Sequence, residues 1–184
     1  MNKKKDIRAL TKEELRFFFV ENNDQAFRGN QVYEWLWSKS LHTFEDMTNI
    51  SKETREMLEA NFVINHIKVD SMQKSKDGTI KNGIKLHDGL IVESVLIPTE
   101  KRTTACVSSQ VGCSLDCKFC ATSRLKRMRN LNPDEIYDQV VIIDKQSRLY
   151  FNHKLSNIVF MGMGEPLMNY KNMMKSIEMI TSPE

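Results

Sequence analysis

Apolar positions along the chain repeat with two different periods. From residue 11 to 62 they recur every three or four residues, the spacing of helices with one buried face. Thr11-Lys-Glu-Glu14 is a capping-box pattern ahead of the apolar run Leu15, Phe17, Phe18, Phe19 and Val20. Gly29-Asn30 marks a second helix start, after which Val32, Tyr33, Leu36 and Trp37 form an apolar stripe. Ser51-Lys-Glu-Thr-Arg opens a third helix, with Met57, Leu58 and Phe62 on one side. The aromatic stripe, Trp35 and Trp37 included, reads as core rather than as a nucleobase platform.

Between residues 66 and 107 the period changes. Ile67-Lys-Val69 alternates, and Leu90 to Ile97 is a strongly apolar strand ended by Pro98. Turn signals fall at Lys76-Asp-Gly78, Asn82-Gly83 and Asp88-Gly89. Only one of the last two need be a hairpin turn, and either will serve. Glu93 interrupts the apolar strand and by alternation shares a face with Ile91, Val95 and Ile97. A carboxylate in apolar surroundings has a raised pKa and accepts a proton usefully; one on a solvent-open edge does neither.

Helical spacing then returns, mixed with strands. Asn132-Pro-Asp-Glu is an N-cap with proline at the first helical position, and Ile136, Val140, Val141 and Ile143 carry that helix to about Leu149. Asn157 to Phe160 is a short buried strand running into Met161-Gly-Met-Gly-Glu-Pro166, and another helix begins near Tyr170. Helix, strand, glycine turn and helix is α/β organisation with parallel strands. Three regions are expected: a helical domain at 1–65, an antiparallel strand extension at 66–107 and an α/β region at 108–184. Parallel strands need both faces covered. With only the opening units in hand, the chain is expected to be the N-terminal part of a longer protein.

Composition adds limits rather than detail. No apolar run reaches the length of a membrane span, and no apolar stretch follows the charged Met-Asn-Lys-Lys-Lys start, so Lys3 to Lys5 reads as a solvated tail. The net charge of +3 permits a polyanionic partner without requiring one. All four cysteines lie between residues 106 and 120, which fits a reducing, cytoplasmic setting and one shared purpose.

That purpose is concentrated in Cys113-Ser-Leu-Asp-Cys117-Lys-Phe-Cys120. Three thiolates within a few residues can converge on one metal centre. A [4Fe–4S] cluster usually takes four cysteines, so three leave one iron open for a ligand. Zinc held with a histidine or Cys106 is an alternative, but no second C-x2-C pair matches the first. Downstream, Gly162-Met-Gly164-Glu165-Pro166 lets the backbone approach a ligand at a strand's carboxyl end. Arg124, Lys126, Arg127 and Arg129 either neutralise phosphates or form a solvated surface. Cys106 is either a buried small residue or a redox-active thiol.

The C-x3-C-x2-C run resembles the signature of radical S-adenosylmethionine (SAM) enzymes. Together with Cys106-Val-Ser-Ser-Gln-Val-Gly-Cys113, Phe-Cys-Ala-Thr, Arg129-Asn-Leu131 and Phe160-Met-Gly-Met-Gly-Glu-Pro-Leu167, it is similar to the bacterial dual-specificity RNA methyltransferases that act on adenine C2. The resemblance implies a helical accessory domain at 1–65, a candidate for RNA binding, and the start of a partial (β/α) radical-SAM barrel. It implies a [4Fe–4S] cluster on Cys113, Cys117 and Cys120, and SAM held by Gly164 and Glu165. It implies Glu93 as proton acceptor and Cys106 as a resolving cysteine that forms a transient disulfide. The implied partners are 23S rRNA, tRNA and a low-potential electron donor such as flavodoxin, with no membrane, for a cytoplasmic monomer. The family's methyl-carrying cysteine lies near its C-terminus, and no cysteine follows Cys120 here, so the chain by itself is expected to be inactive. A C8-methylating relative and a metal-stabilised RNA-binding module are the alternatives.

Overall fold

The computed structural model describes residues 4–182; Lys3 of the lysine run and Pro183-Glu184 lie outside the described residues. Contacts divide the chain into two compact units, one up to His66 and one from Ile67.

The first unit holds strand β1 (Lys5–Asp6), helices α1 (Lys12–Glu21), α2 (Phe27–Trp37) and α3 (Lys52–Asn61), and strand β2 (Phe62–Val63). The capping box at α1 is complete: Glu14 N–H donates to Thr11 Oγ1 at 3.1 Å, and Thr11 N–H to Glu14 Oε2 at 2.7 Å. Ser51 caps α3 by accepting from Thr54 N–H. Helix α2 begins before Gly29 instead of at it. A Cβ on Gly29 would collide with the backbone of Leu15 and Arg16, so the glycine marks a close helix crossing, not a helix start. Leu15, Phe19, Val32, Leu36, Met47 and Leu58 are fully or almost fully buried. Phe18 stands edge-on to Phe19 and Phe62, and Tyr33, Trp35 and Trp37 pack against this core. The stripe is core, as its spacing predicts. Lys4 and Lys5 are not a loose tail: Lys5 pairs with Phe62 in a parallel ladder, and Lys4 Nζ donates to the Glu59 carbonyl.

The second unit is built on a five-stranded sheet. Strands β3 (Lys68–Lys74), β4 (Ile80–Lys85), β5 (Ile91–Pro98) and β6 (Thr103–Cys106) are antiparallel neighbours in chain order. A short ladder of β7 (Gln110–Val111) and β8 (Arg129–Asn130) follows, then helix α4 (Pro133–Phe151), strand β9 (Asn157–Val159) and helix α5 (Tyr170–Thr181). Strand β9 joins the sheet beside β6 and parallel to it. The hairpin turns are Lys76–Gly78 and Asp88–Gly89. Asn82-Gly83 lies inside β4, where Asn82 is fully buried and exchanges two hydrogen bonds with the Gln146 side chain of α4. That buried amide pair satisfies what would otherwise be a costly polar burial.

Ile80, Ile84, Val92, Leu96 and Ala105 line one face of the sheet and join Ile136, Val140 and Ile143 of α4 in a single core. Each isoleucine, leucine or valine among them stabilises by roughly 1.5–3 kcal/mol when fully buried, enough to fix the register on this side. The alternate positions, Lys81, Gly83, Lys85, Ile91, Glu93, Val95 and Ile97, therefore point to the opposite, open face. Among the described residues, no helix is long and apolar enough to cross a membrane.

Candidate metal and cofactor site

Strand pairing brings the two candidate catalytic side chains to the same face. Cys106 ends β6 directly opposite Val95, and Glu93 lies two residues from Val95 on β5. Diagonal neighbours of this kind have Cβ atoms roughly 7–8 Å apart or less. Cys106 is buried, which pushes its thiol above the ordinary value against a weaker opposing hydrogen bond from Met161 N–H. Glu93 sits neither on an edge strand nor in an apolar pocket. It is on the third of five strands, half exposed, and its Oε1 lies 2.9 Å from Lys81 Nζ. Its direct partner across the ladder is Gly83, so no side chain opposes it and the diagonal lysine is within reach.

The glycine turn is fastened to the strand that continues from Cys106. Gly162 N–H donates to the Val107 carbonyl, and Ser109 N–H to the Met163 carbonyl. Ser108 Oγ accepts from Met163 N–H at 2.8 Å and donates to the Glu93 carbonyl, joining the turn to β5. Ser108 N–H is itself met by Gln139 Oε1 of α4 at 2.9 Å. Gln110 Oε1 accepts from Glu165 N–H at 2.9 Å, and its amide nitrogen donates to Asn130 Oδ1 at 2.8 Å. Gly164 has φ +90°, and a Cβ there would collide with the Gln110 side chain. Only glycine fits both the backbone angle and the space. Part of the Glu165 carboxylate caps its own turn, accepting from Leu167 N–H.

The β7–β8 ladder brackets the cysteine loop, 112–128. Cys113, Cys117 and Cys120 are free thiols, half-buried on that loop, and Phe119 between two of them is 95% exposed. Backbone N–H groups of Ser123 and Thr122 pull the Cys120 thiol below its ordinary value, and Leu115 N–H points at Cys113 Sγ from 3.4 Å. Ser123 Oγ also donates to the carbonyls of Cys117 and Cys120, pinning the second half of the loop. Among the described residues, no three His, Cys, Asp or Glu side chains are gathered around one point as metal ligands. The donor set nonetheless fits an iron–sulfur cluster. Its three thiols lie on one loop, with N–H groups aimed at the sulfurs of Cys113 and Cys120, and thiolates are the form that binds metal. Cys106 is also free, so no disulfide is present among these cysteines.

The basic stretch divides. Arg129 is not available to a phosphate: it forms a bidentate pair with Glu135, both contacts at 2.7 Å, and a further bond to Asp88 at 2.7 Å. The hydrogen bonds to Glu135 outweigh partial burial and hold its guanidinium above its ordinary pKa. Arg124 and Lys126 are exposed. Sequence reasoning did not single out Gln139 or Asn169. Asn169 Nδ2 donates to the carbonyls of Ser109 and Leu131, and both residues are buried struts under the turn. A buried amide in a helical stripe of isoleucine and valine is the one sequence signal that Gln139 offers.

Known proteins resemble the chain over nearly its whole length. Residues 5–64 match the ribosomal RNA large subunit methyltransferase N-terminal domain, and residues 107–183 match the radical SAM superfamily. The probable dual-specificity RNA methyltransferase RlmN of Flavobacterium johnsoniae is 78% identical over 181 residues, covering 98% of this chain and 52% of its own length. The dual-specificity RNA methyltransferase RlmN of Geotalea uraniireducens is 42% identical, with 98% and 51% covered. The crystal structure of a radical SAM methyltransferase from Sphaerobacter thermophilus superposes with a TM-score of 0.83 at 32% identity, covering 97% of this chain and 52% of that one. The chain spans about half the length of the curated relatives it matches. Helical unit, antiparallel extension and cysteine loop thus fall in the N-terminal half of those proteins, and the chain belongs to the RlmN family of the radical SAM superfamily.

Proposed function

We propose that the chain forms the N-terminal half of a cytoplasmic RNA methyltransferase that methylates C2 of adenosine in 23S rRNA and tRNA through a methyl-cysteine intermediate. The observation that carries this reading is that Glu93 and Cys106 share one open sheet face, while the strand beyond Cys106 is bonded to the Gly-Glu-Pro turn. Cys113, Cys117 and Cys120 would hold the [4Fe–4S] cluster, and Gly164 and Glu165 would bind the amino group of SAM. When bound, cluster and SAM supply the one-electron chemistry that adenine C2, closed to ordinary nucleophilic displacement, requires. The low-potential electrons come from a flavodoxin-type donor, and the enzyme works as a monomer.

The chain's own residues have narrower tasks. Glu93 Oε atoms take the C2 proton once the carbon is bonded to the carrier. Cys106 Sγ then gives up its proton and attacks the carrier sulfur. The transient disulfide forms as the bond from that sulfur to the methylene carbon breaks, and the carbon takes up a proton to leave as the product's methyl group. The raised thiol of Cys106 keeps it protonated until that step. No carrier cysteine follows Cys120 in this chain, so it does not complete the reaction alone.

Anaerobic iron–sulfur reconstitution of the full-length protein, with EPR spectra before and after SAM, tests the reading. A reduced-cluster signal that SAM shifts is expected, as is methyl transfer located at C2 by mass spectrometry. A methyl group at C8 would assign the protein to the C8-methylating relatives. Stoichiometric zinc, a colourless protein and no response to SAM would make it a metal-stabilised RNA-binding module and sink the radical reading.

A further inference from the structure

The open face of the sheet carries positive charge that the proposed reaction does not use. Lys68 of β3 and Lys85 of β4 are direct partners across the ladder, so both side chains stand on one face. Lys81 follows four residues along β4 on that face, about 13 Å further at the rise of a strand. Like charges directly opposite each other weaken a sheet. Among the described residues, neither Lys68 nor Lys85 has a carboxylate within ion-pairing distance. The only carboxylate that β4 and β5 place on this face is Glu93, and Lys81 already occupies it. Asp70, the acidic residue of β3, falls at the irregularity between Val69 and Ser71, outside the regular pairing.

The strip is therefore an uncompensated cost to the sheet that leads, strand by strand, to Glu93 and then Cys106. We propose that Lys68 and Lys85 bind the phosphates of single-stranded RNA and lay it along β4 toward Glu93. The inference rests on the proposed function and adds to it the path of the substrate. Lysine suits the task as a point charge that holds phosphate without reading bases. No arginine and no aromatic side chain shares the β3–β5 part of this face, so the strip positions RNA and leaves base recognition to other residues.

The test uses the full-length protein and a labelled single-stranded oligoadenylate, titrated across a series of salt concentrations. Replacing both lysines (K68Q with K85Q) is expected to weaken binding about tenfold and to flatten the logarithmic salt slope by about 0.7 per lysine removed. The same double variant should unfold at the parent's denaturant midpoint or above it, because the like-charge opposition is gone. Lys52→Gln, whose lysine pairs with Glu56 in the first unit, should leave the slope unchanged. Parent-like binding and slope in the double variant would overturn the strip while leaving the RNA reading intact. Weaker binding together with a lower midpoint would make the lysines structural. A parent chain that binds no RNA would defeat the RNA reading and the strip with it. Polyglutamate bound as tightly as RNA would assign the face to an acidic protein.

Discussion

The two units bury different things. The first closes around Leu15, Phe19, Val32, Leu36 and Leu58; among its described residues only Arg8 and Thr54 are buried polar side chains. The second buries Asn82, Ser108, Ser109, Gln110, Glu135, Gln139 and Asn169, and nearly every one is hydrogen-bonded to another element. Apolar packing gives stability without direction. A fully satisfied polar network gives direction, because each group accepts only a few geometries and loses much if one partner leaves. The difference explains why candidate chemistry gathers on one unit. Ser108, Gln110 and Gln139 act as struts that tie the turn at Gly164 and Glu165 to the strand beyond Cys106.

The contrast can be attacked at its strongest point in each unit. Phe19→Ala removes a ring with no exposed surface and is expected to cost about 3–5 kcal/mol. Hydrogen exchange should report that loss in α1 and α2 and not in β5. Equal loss in both would show one cooperative body. Gly164→Ala should cost about 2–4 kcal/mol, from the left-handed backbone and the collision with Gln110. Its amide signals should shift through 108–111 and 162–166 while α1 to α3 keep theirs. Gln139→Leu keeps the volume but strands Ser108 N–H, and about 1–3 kcal/mol should be lost from the second unit by denaturant unfolding. A neutral result there would deny that the buried amides matter.

How far the sequence disclosed this follows from the same contrast. Capping residues are local, so Thr11, Ser51 and Asn132 were legible and stand where their patterns put them. Alternation also put Glu93 on a face with Ile91, Val95 and Ile97. It could not say that the face was open, or that Lys81 stood across from it, because register between strands is set by distant packing on α4. The choice between Asn82-Gly83 and Asp88-Gly89 failed to resolve for the same reason. Asn-Gly is a strong turn signal, and it is overridden here because Asn82 has a buried partner in Gln146, sixty-four residues away. Gly29 was misread because helix crossings, like turns, select glycine. Arg129 looked like part of a basic surface, since its acidic partners Asp88 and Glu135 come from two other elements.

Smaller effects sharpen the comparison further. Thr11→Ala removes the side-chain half of the α1 capping box and should cost about 1 kcal/mol. Helix α1 should fray at its first turn, seen as faster amide exchange at Glu13 to Leu15. A loss as large as that of Phe19→Ala would mean that the first unit also depends on a specific polar contact.

The finest test is the sign of each unit's response to acid. Asp6 in the first unit is half-buried, and loss of solvent raises its carboxyl above the ordinary value despite hydrogen bonds from the N–H groups of Arg8 and Asn65. A carboxyl raised on folding contributes stability below its unfolded pKa, near 3.9, and loses it as pH rises through the folded value. Asp88 in the second unit is also partly desolvated, but the Arg129 side chain and Leu90 N–H more than offset that and lower it. A depressed carboxyl contributes above about pH 4 and loses its contribution as pH falls through the folded value. Acidification should therefore favour the first unit through Asp6 while it weakens the β4–β5 hairpin through Asp88. Asp6→Asn and Asp88→Asn should each abolish one of the two opposite slopes, measured as exchange protection in β2 and β5 across the acid range. Slopes of the same sign would mean that the Arg129 pair does not govern the hairpin, and that the polar network is weaker than its geometry implies.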